Sequence, residues 1–290
     1  MTWTTKAFLK WSAERLTQAG IESPQLEAEV LLAKGLHASR EDLYREPERK
    51  LEEEEIVLSR SFVERRFLRE PVAYILGCRE FWGMDFQVTP DVLVPRWETE
   101  VLLEQFLQWV RATPLSSPLQ ILDIGTGSGN IAVVAARELP NAQVTAVDIS
   151  PPALEVAQTN AWVHGVADRI QFVQGDLFAC DLKGPFHAIL SNPPYIEDGE
   201  MESLMPDVKN FEPKRALDGG EQGLELYKRI LPEALTHLTE DGALFLEVGD
   251  QQAPAVRSLF AEYGGYQTPQ VTLDYTGVER VVSARKRKNG

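Results

Sequence analysis

Cysteine and histidine are scarce in this 290-residue sequence: two of the former, Cys78 and Cys180, and four of the latter, His37, His164, His187 and His237. Two cysteines far apart in the chain imply no disulfide framework and suit a reducing compartment. The histidines show none of the spacing that binds a metal, so no metal is expected. No stretch approaches the roughly 20 apolar residues that span a bilayer, and the opening MTWTTKAFLKW lacks the apolar run of a signal peptide. The expectation is a cytoplasmic protein with no membrane partner. Positive charge is short as well: 29 Lys and Arg stand against 44 Asp and Glu, a formal charge of -15. Nucleic-acid binding needs a basic face, so no direct contact with nucleic acid is expected. The one dense basic run, RKRK at 285–288, reads as a solvated chain end, with a phosphate contact as its alternative.

The length suits one large domain or two unequal ones. Up to Leu76 apolar residues recur at helical spacing, as in LEAEVLLAKGL and EEIVLSRSFVERRFL, punctuated by Gly20, Pro24, Gly35 and Pro47. This predicts a small all-α bundle over residues 1–76. The next segment, REFWGMDFQVTPDVLVPR, is rich in aromatic and β-branched residues, with Gly83 and Pro90 as turn signals; it predicts a β-hairpin linker over 77–97, or else an irregular one. From 98 to 290 strands and helices alternate. Short, nearly continuous apolar runs at 119–124, 142–148, 169–173, 186–191 and 242–248 suit a mostly parallel sheet covered by helices on both faces. QVTLDY and ERVVSAR can pair as an antiparallel hairpin near the end. The fold class expected is therefore α/β, doubly wound, preceded by the helical bundle.

The first chemical motif is ILDIGTGSGNIAV, where a strand runs into Gly125, Thr126, Gly127, Ser128 and Gly129 and then into a helix near Asn130. Glycines let the backbone turn tightly against a ligand, and a helix start offers unpaired N–H groups. Asp148 closes the next strand, where a carboxylate can accept from both hydroxyls of a ribose. A dinucleotide site would read G-x-G-x-x-G; here the spacing is G-x-G-x-G with Asp123 just before it. That acid would repel a pyrophosphate but could engage a cationic amino acid end, which favours S-adenosyl-L-methionine over NAD. Alternatively, Asp123 only ties the loop to neighbouring backbone. Asp176 ends the third strand, placed to accept from an adenine amino group, with Leu177 and Phe178 available to cover the ring; its alternative is a helix N-cap.

The second motif is Asn192-Pro193-Pro194-Tyr195, after the fourth strand. In an open α/β sheet the carboxyl ends of strands face the ligand crevice. The Asn192 side-chain oxygen and the Pro193 carbonyl could each accept one hydrogen of a planar NH₂. Two prolines hold those carbonyls stiffly and offer no competing N–H. Tyr195 supplies a flat face for stacking. Together these form a clamp for a conjugated nitrogen, a weak nucleophile that needs orientation more than a base.

The chain resembles the HemK/PrmC family of protein-(glutamine-N5) methyltransferases along nearly its whole length, through EFWGMDFQV, VPRWETE, DIGTGSGNIA, VDIS, NPPY, FEPKRALDGGEQGLELY and DYTGVER. The resemblance implies a Rossmann-like class I methyltransferase domain with a seven-stranded sheet. It also implies transfer of a methyl group from S-adenosyl-L-methionine to the glutamine of the Gly-Gly-Gln motif in peptide chain release factors, leaving S-adenosyl-L-homocysteine. Carried onto this chain, residues 125–129, Asp148, Leu177 and Asn192 bind the cofactor, and residues 192–195 hold the glutamine amide. Some members have an aromatic residue where this chain has Leu177, which leaves open how adenine is covered. The amino-terminal bundle would engage the release factor or serve as a stabilising cap. Arg96 and Glu98 would be substrate-loop contacts or a structural ion pair. A monomer is expected.

Rival readings share parts of this pattern. A methyltransferase for a ribosomal-protein glutamine, or for the exocyclic amine of adenine in DNA or RNA, would use a similar clamp. A NAD-dependent oxidoreductase or an idle cofactor-binding module would leave the Asn-Pro-Pro-Tyr turn without a job.

Overall fold

The computed structural model describes residues 2–115 and 118–288. They form two compact units: one comprises residues up to Cys78 together with Met205–Phe211, and the other comprises Arg79–Leu204 and the chain from Glu212 onward.

The first unit is helical. It contains α1 (Thr5–Gln18), α2 (Pro24–Gly35), α3 (Arg40–Arg45), α4 (Glu53–Phe67) and α5 (Val72–Leu76). The ends are written locally: the Thr4 hydroxyl accepts from the Ala7 amide, Pro24 opens α2, Ser39 and Asp42 form a capping box, and Gly77 closes α5 in the left-handed region. Phe8, Leu16, Leu31, Leu32 and Val63 are wholly buried between the helices. Gly35 lets α2 and α4 cross closely, since a Cβ there would fall 2.1 Å from the Ser59 hydroxyl oxygen. One buried cation binds the unit's pieces together: Arg66 reaches Glu27 at 2.5 Å and Asp207 at 2.7 Å, and Arg69 reaches Asp207 at 2.6 Å. Removing one partner of a buried ion pair strands the others, so Arg66→Ala should lower the stability of this unit by about 3 kcal/mol. Chemical denaturation of the full chain followed by helical ellipticity checks it; a change below about 1 kcal/mol would place Arg66 among ordinary surface pairs.

The second unit opens with the hairpin β1 (Cys78–Phe81) and β2 (Met84–Gln87). Its two-residue turn has φ of 56° at Trp82 and 67° at Gly83, the pattern of a tight antiparallel turn. The hairpin is not a free linker. Phe81 and Phe86 are buried in this unit's core and meet edge to face at 5.9 Å, so the boundary falls ahead of the hairpin.

There follow α6 (Thr99–Ala112), β3 (Leu119–Ile124), α7 (Asn130–Glu138), β4 (Ala142–Asp148), α8 (Pro151–Val163), β5 (Ile170–Gln174) and β6 (Phe186–Ser191). The short helix α9 (Pro206–Phe211) groups with the first unit, and the second resumes with α10 (Glu225–His237), β7 (Leu238–Glu247), α11 (Ala253–Tyr263), β8 (Gln270–Leu273) and β9 (Glu279–Arg285). The sheet is seven-stranded in the order β5-β4-β3-β6-β7-β9-β8, parallel but for β9, which runs antiparallel to both neighbours.

Alternation along the strands splits the core in two. Ile121, Ala188, Leu190 and Phe245 pack under α6 and α7, while Leu122, Ile124, Ile189, Leu244 and Leu246 pack under α10 and α11. Successive strands spread from β3 toward β5 on one side and from β6 toward β7 on the other. The order therefore reverses between β3 and β6, where such sheets open a crevice at their carboxyl ends. Ile124 pairs with Ser191, so Gly125 and Asn192 leave the sheet side by side. No helix among the described residues is long and apolar enough to cross a membrane.

Candidate active site

A cleft of about 760 Å³ lies at this crevice, walled by Gly125, Thr126, Gly127, Ser128, Asp148, Leu177 and Asn192 among others. The loop after β3 is pinned on its sheet side: the amides of Gly125 and Thr126 both donate to the Val147 carbonyl, at 2.9 and 3.0 Å. Gly129, at φ 81°, starts α7 where a Cβ would come within 3.0 Å of the Ala157 Cβ on α8. Its job is the tight packing of two helices as much as approach to a ligand. Asp148 accepts from the Gly127 amide on one carboxylate oxygen and from the Ser150 amide on the other, each at 2.9 Å. Each oxygen keeps further lone-pair capacity on the cleft side, where hydroxyl donors of a ribose can be received.

Asp123 stands behind this wall and forms no part of it. It is wholly buried, and one oxygen accepts from the Thr126 hydroxyl at 2.6 Å while the other has no partner. The geometry thus gives it the loop-tying role and corrects the expectation of direct contact with a ligand's amino acid end. Burial pushes its pKa up to about 7, with the nearby Asp148 charge adding to the rise and the Thr126 hydroxyl opposing it.

At the end of β5, Asp176 and Leu177 reach the cleft and Phe178 does not. No helix follows Asp176, so the N-cap alternative is excluded; the chain makes a tight turn bridged from Asp176 to Ala179, with Leu177 held at φ 56°. Asp176 pairs with Arg229 at 2.8 Å, half exposed. Phe178 turns into the core and stacks on His237 at 4.9 Å, so of the two candidate ring covers only Leu177 faces the cleft.

After β6, Asn192 and Pro194 face the cleft, whereas Pro193 is buried and the Tyr195 ring lies off the cleft wall. Asn192 is held by its nitrogen: Nδ2 donates to Thr99 Oγ1, in the first turn of α6, at 3.1 Å. That leaves the side-chain oxygen, an acceptor, and the second hydrogen of Nδ2. Tyr195 is fixed along its backbone. Its carbonyl accepts from Gln252 Nε2 at 2.8 Å, and Cβ atoms on Gly219, Gly223 and Gly249 would strike Tyr195 atoms at 2.7, 2.2 and 2.9 Å. Burial and the Glu247 carboxylate push its phenol well above the usual range.

Several of these groups escaped motif reading. Thr99 and Glu247 belong to distant segments and meet only in the fold. Glu247, the last residue of β7, is wholly buried, and burial pushes its pKa up to about 7 against the pull of Thr99, Arg280 and Arg96. Arg96 pairs not with Glu98 but with Glu212, at 2.5 Å, and Glu212 also accepts from the Val94 amide. DYTGVER is a turn built on Asp274. The Thr276 hydroxyl, the Val278 and Thr276 amides and Arg280 pull that carboxyl down to about 2.

Asp123 and Glu247 tie stability to pH with a definite sign. Both are raised to about 7, so the folded chain keeps protons that the unfolded chain has given up above the ordinary carboxylate range. The stabilisation is complete below the unfolded pKa and is lost as pH rises through about 7. The thermal midpoint should fall across that interval, and Asp123→Asn should flatten the slope. A midpoint that climbs there contradicts the assignment.

Comparison with known proteins agrees with both units. The PrmC N-terminal domain family matches residues 7–77 and the methyltransferase small domain family matches 99–207. A release factor glutamine methyltransferase of Geobacter sulfurreducens is 42% identical over 283 residues, covering 98% of this chain and 97% of its own. One of Moorella thermoacetica is 42% identical over 286 residues, covering 98% and 99%. Among solved structures, a methyltransferase from Pyrococcus furiosus overlays with a TM-score of 0.52 at 20% identity, over 71% of this chain and 91% of that one, which speaks for the fold.

Proposed function

The chain belongs to the release factor glutamine methyltransferase family, and we propose that it methylates the side-chain amide nitrogen of the glutamine in the Gly-Gly-Gln motif of a peptide chain release factor. The observation that carries this reading is the tether on Asn192. With one Nδ2 hydrogen given to Thr99, the carboxamide is held by its nitrogen end and Oδ1 is available as an acceptor, which suits an NH₂ substrate.

The walls also suit S-adenosyl-L-methionine. Asp148 offers acceptors at the cleft, the glycine loop gives close backbone approach, and the Asp148 carboxylate beside that loop disfavours a pyrophosphate. When bound, the cofactor supplies an electrophilic methyl carbon whose bond to sulfur breaks as the bond to nitrogen forms, sulfur keeping the electron pair. The chain's own residues do the rest. Asp148 and the loop 125–129 bind the ribose end, and Leu177, with Asp176 at its side, borders the adenine. Asn192 Oδ1 and the Pro193 carbonyl accept the two amide hydrogens, which pulls electron density toward the nitrogen and fixes its lone pair in line. The nitrogen becomes acidic only as it gains positive charge, so its proton leaves late, to solvent. Tyr195, its carbonyl held by Gln252, keeps the turn rigid. The helical unit engages the release factor.

Methyl-labelled cofactor, offered with a release factor in one reaction and with DNA or RNA in another, tests the substrate class. Label should enter the release factor. Label entering only nucleic acid would overturn the proposal.

A further inference from the structure

Glu247 is a carboxylate buried without visible structural need. It is fully shielded at the end of β7, and neither oxygen has a hydrogen-bond partner of good geometry. Tyr227 on α10 donates to the Glu247 backbone carbonyl and not to the carboxylate. An unpartnered buried charge is costly, so such a group calls for an explanation. The side chain that acts on it from the direction of Asn192 is Thr99, which pulls its pKa down without reaching good hydrogen-bond geometry. Asn192 Nδ2 donates to Thr99 Oγ1 at 3.1 Å. Having accepted that bond, the Thr99 hydroxyl has a single proton left to give, and the Glu247 carboxylate is the acceptor close enough to feel it.

We propose that Thr99 and Glu247 are positioning residues for methyl transfer, forming a relay that decides which end of the Asn192 carboxamide faces the cleft. The inference rests on the function proposed above. Ionised Glu247 can only accept, so Thr99 donates to it and must accept from Asn192, which keeps the NH₂ inward and Oδ1 toward the substrate. Protonated Glu247 can donate instead. Thr99 then donates to Asn192 Oδ1, and the rotated carboxamide turns its NH₂ to the cleft, donor against donor with the substrate amide.

The groups facing this carboxylate are Arg96, Glu98 and Thr99 from the entry to α6, Arg280 from β9, Tyr195 from the turn after β6 and Tyr227 from α10. Burial lifts its pKa to about 7, the two arginines and Thr99 opposing and Glu98 adding. Both relay states are then populated near neutrality, and turnover falls as the solution is acidified through that region.

The test is kcat at saturating cofactor and release factor, followed against pH for the unmodified chain, Glu247→Gln, Thr99→Val and Thr99→Ser. The relay predicts an acid limb centred near neutrality in the unmodified chain and in Thr99→Ser, which keeps the hydroxyl. The limb should vanish in Glu247→Gln and Thr99→Val, each about tenfold slower at the alkaline plateau, the order felt when an orienting partner is lost. Cofactor Kd should stay unchanged, a split that a merely structural role would not give. If Glu247→Gln does not fold, the two Thr99 variants decide alone. An acid limb surviving in Glu247→Gln or Thr99→Val, or a flat profile in the unmodified chain, overturns the relay while the functional reading stands. No methyl transfer to release factor by the unmodified chain overturns that reading, and the relay with it.

Discussion

Asn192→Ala should lower kcat for methyl transfer by roughly 10²-fold or more while leaving the cofactor Kd within a few-fold. The amide nitrogen is a poor nucleophile because its lone pair is delocalised into the carbonyl. Two acceptors on its hydrogens matter little before reaction and most when the nitrogen carries developing positive charge, so their loss is felt in the transition state. The tether to Thr99 makes the prediction specific to this chain: it holds the carboxamide whose acceptor oxygen alanine removes. Initial rates beside calorimetric titration of the cofactor separate the two quantities. Equal losses in both would make Asn192 a plain cofactor ligand.

Asp148→Ala should do the reverse, weakening cofactor binding by about 1.5–3 kcal/mol, which is roughly 10- to 100-fold in Kd, with kcat at saturation much less affected. The carboxylate is proposed to hold the ribose, and it also fixes the Gly127 and Ser150 amides at 2.9 Å each, so alanine loosens the loop as well as deleting the ligand. The same calorimetry reads the outcome. A cofactor Kd that stays put would move the ribose site elsewhere in the cleft. Together the two variants divide the site into a half that binds and a half that orients.

Strand positions were legible wherever apolar runs are local. The runs at 119–124, 142–148 and 186–191 are β3, β4 and β6 to the residue, because most of each strand is buried and the apolar run stops where the turn residues begin. The loop 125–129, Asp148 and Asn192 were legible for the same reason: a strand end followed by glycine, acid or proline is a local signal.

Contacts between distant segments were not legible. The sequence offers Glu98 as a partner for Arg96, yet the fold supplies Glu212, which also receives the Val94 amide. It offers Phe178 beside Leu177, yet a left-handed residue at Leu177 turns the phenyl ring into the core. It marks Tyr195 as a stacking face, but not the glycines at 219, 223 and 249 that make room for it. Gly219 and Gly223 give part of DGGEQGLELY its physical meaning. Tyr195→Ala should therefore impair turnover through a slackened turn, and unchanged kcat/KM would remove that role.

Which atom receives the methyl group decides the function. A release factor incubated with the full chain and S-adenosyl-L-methionine, then digested and fragmented in a mass spectrometer, should carry one added methyl on the side-chain nitrogen of the Gly-Gly-Gln glutamine. A methyl placed on any other atom of that protein, or none at all, would contradict it.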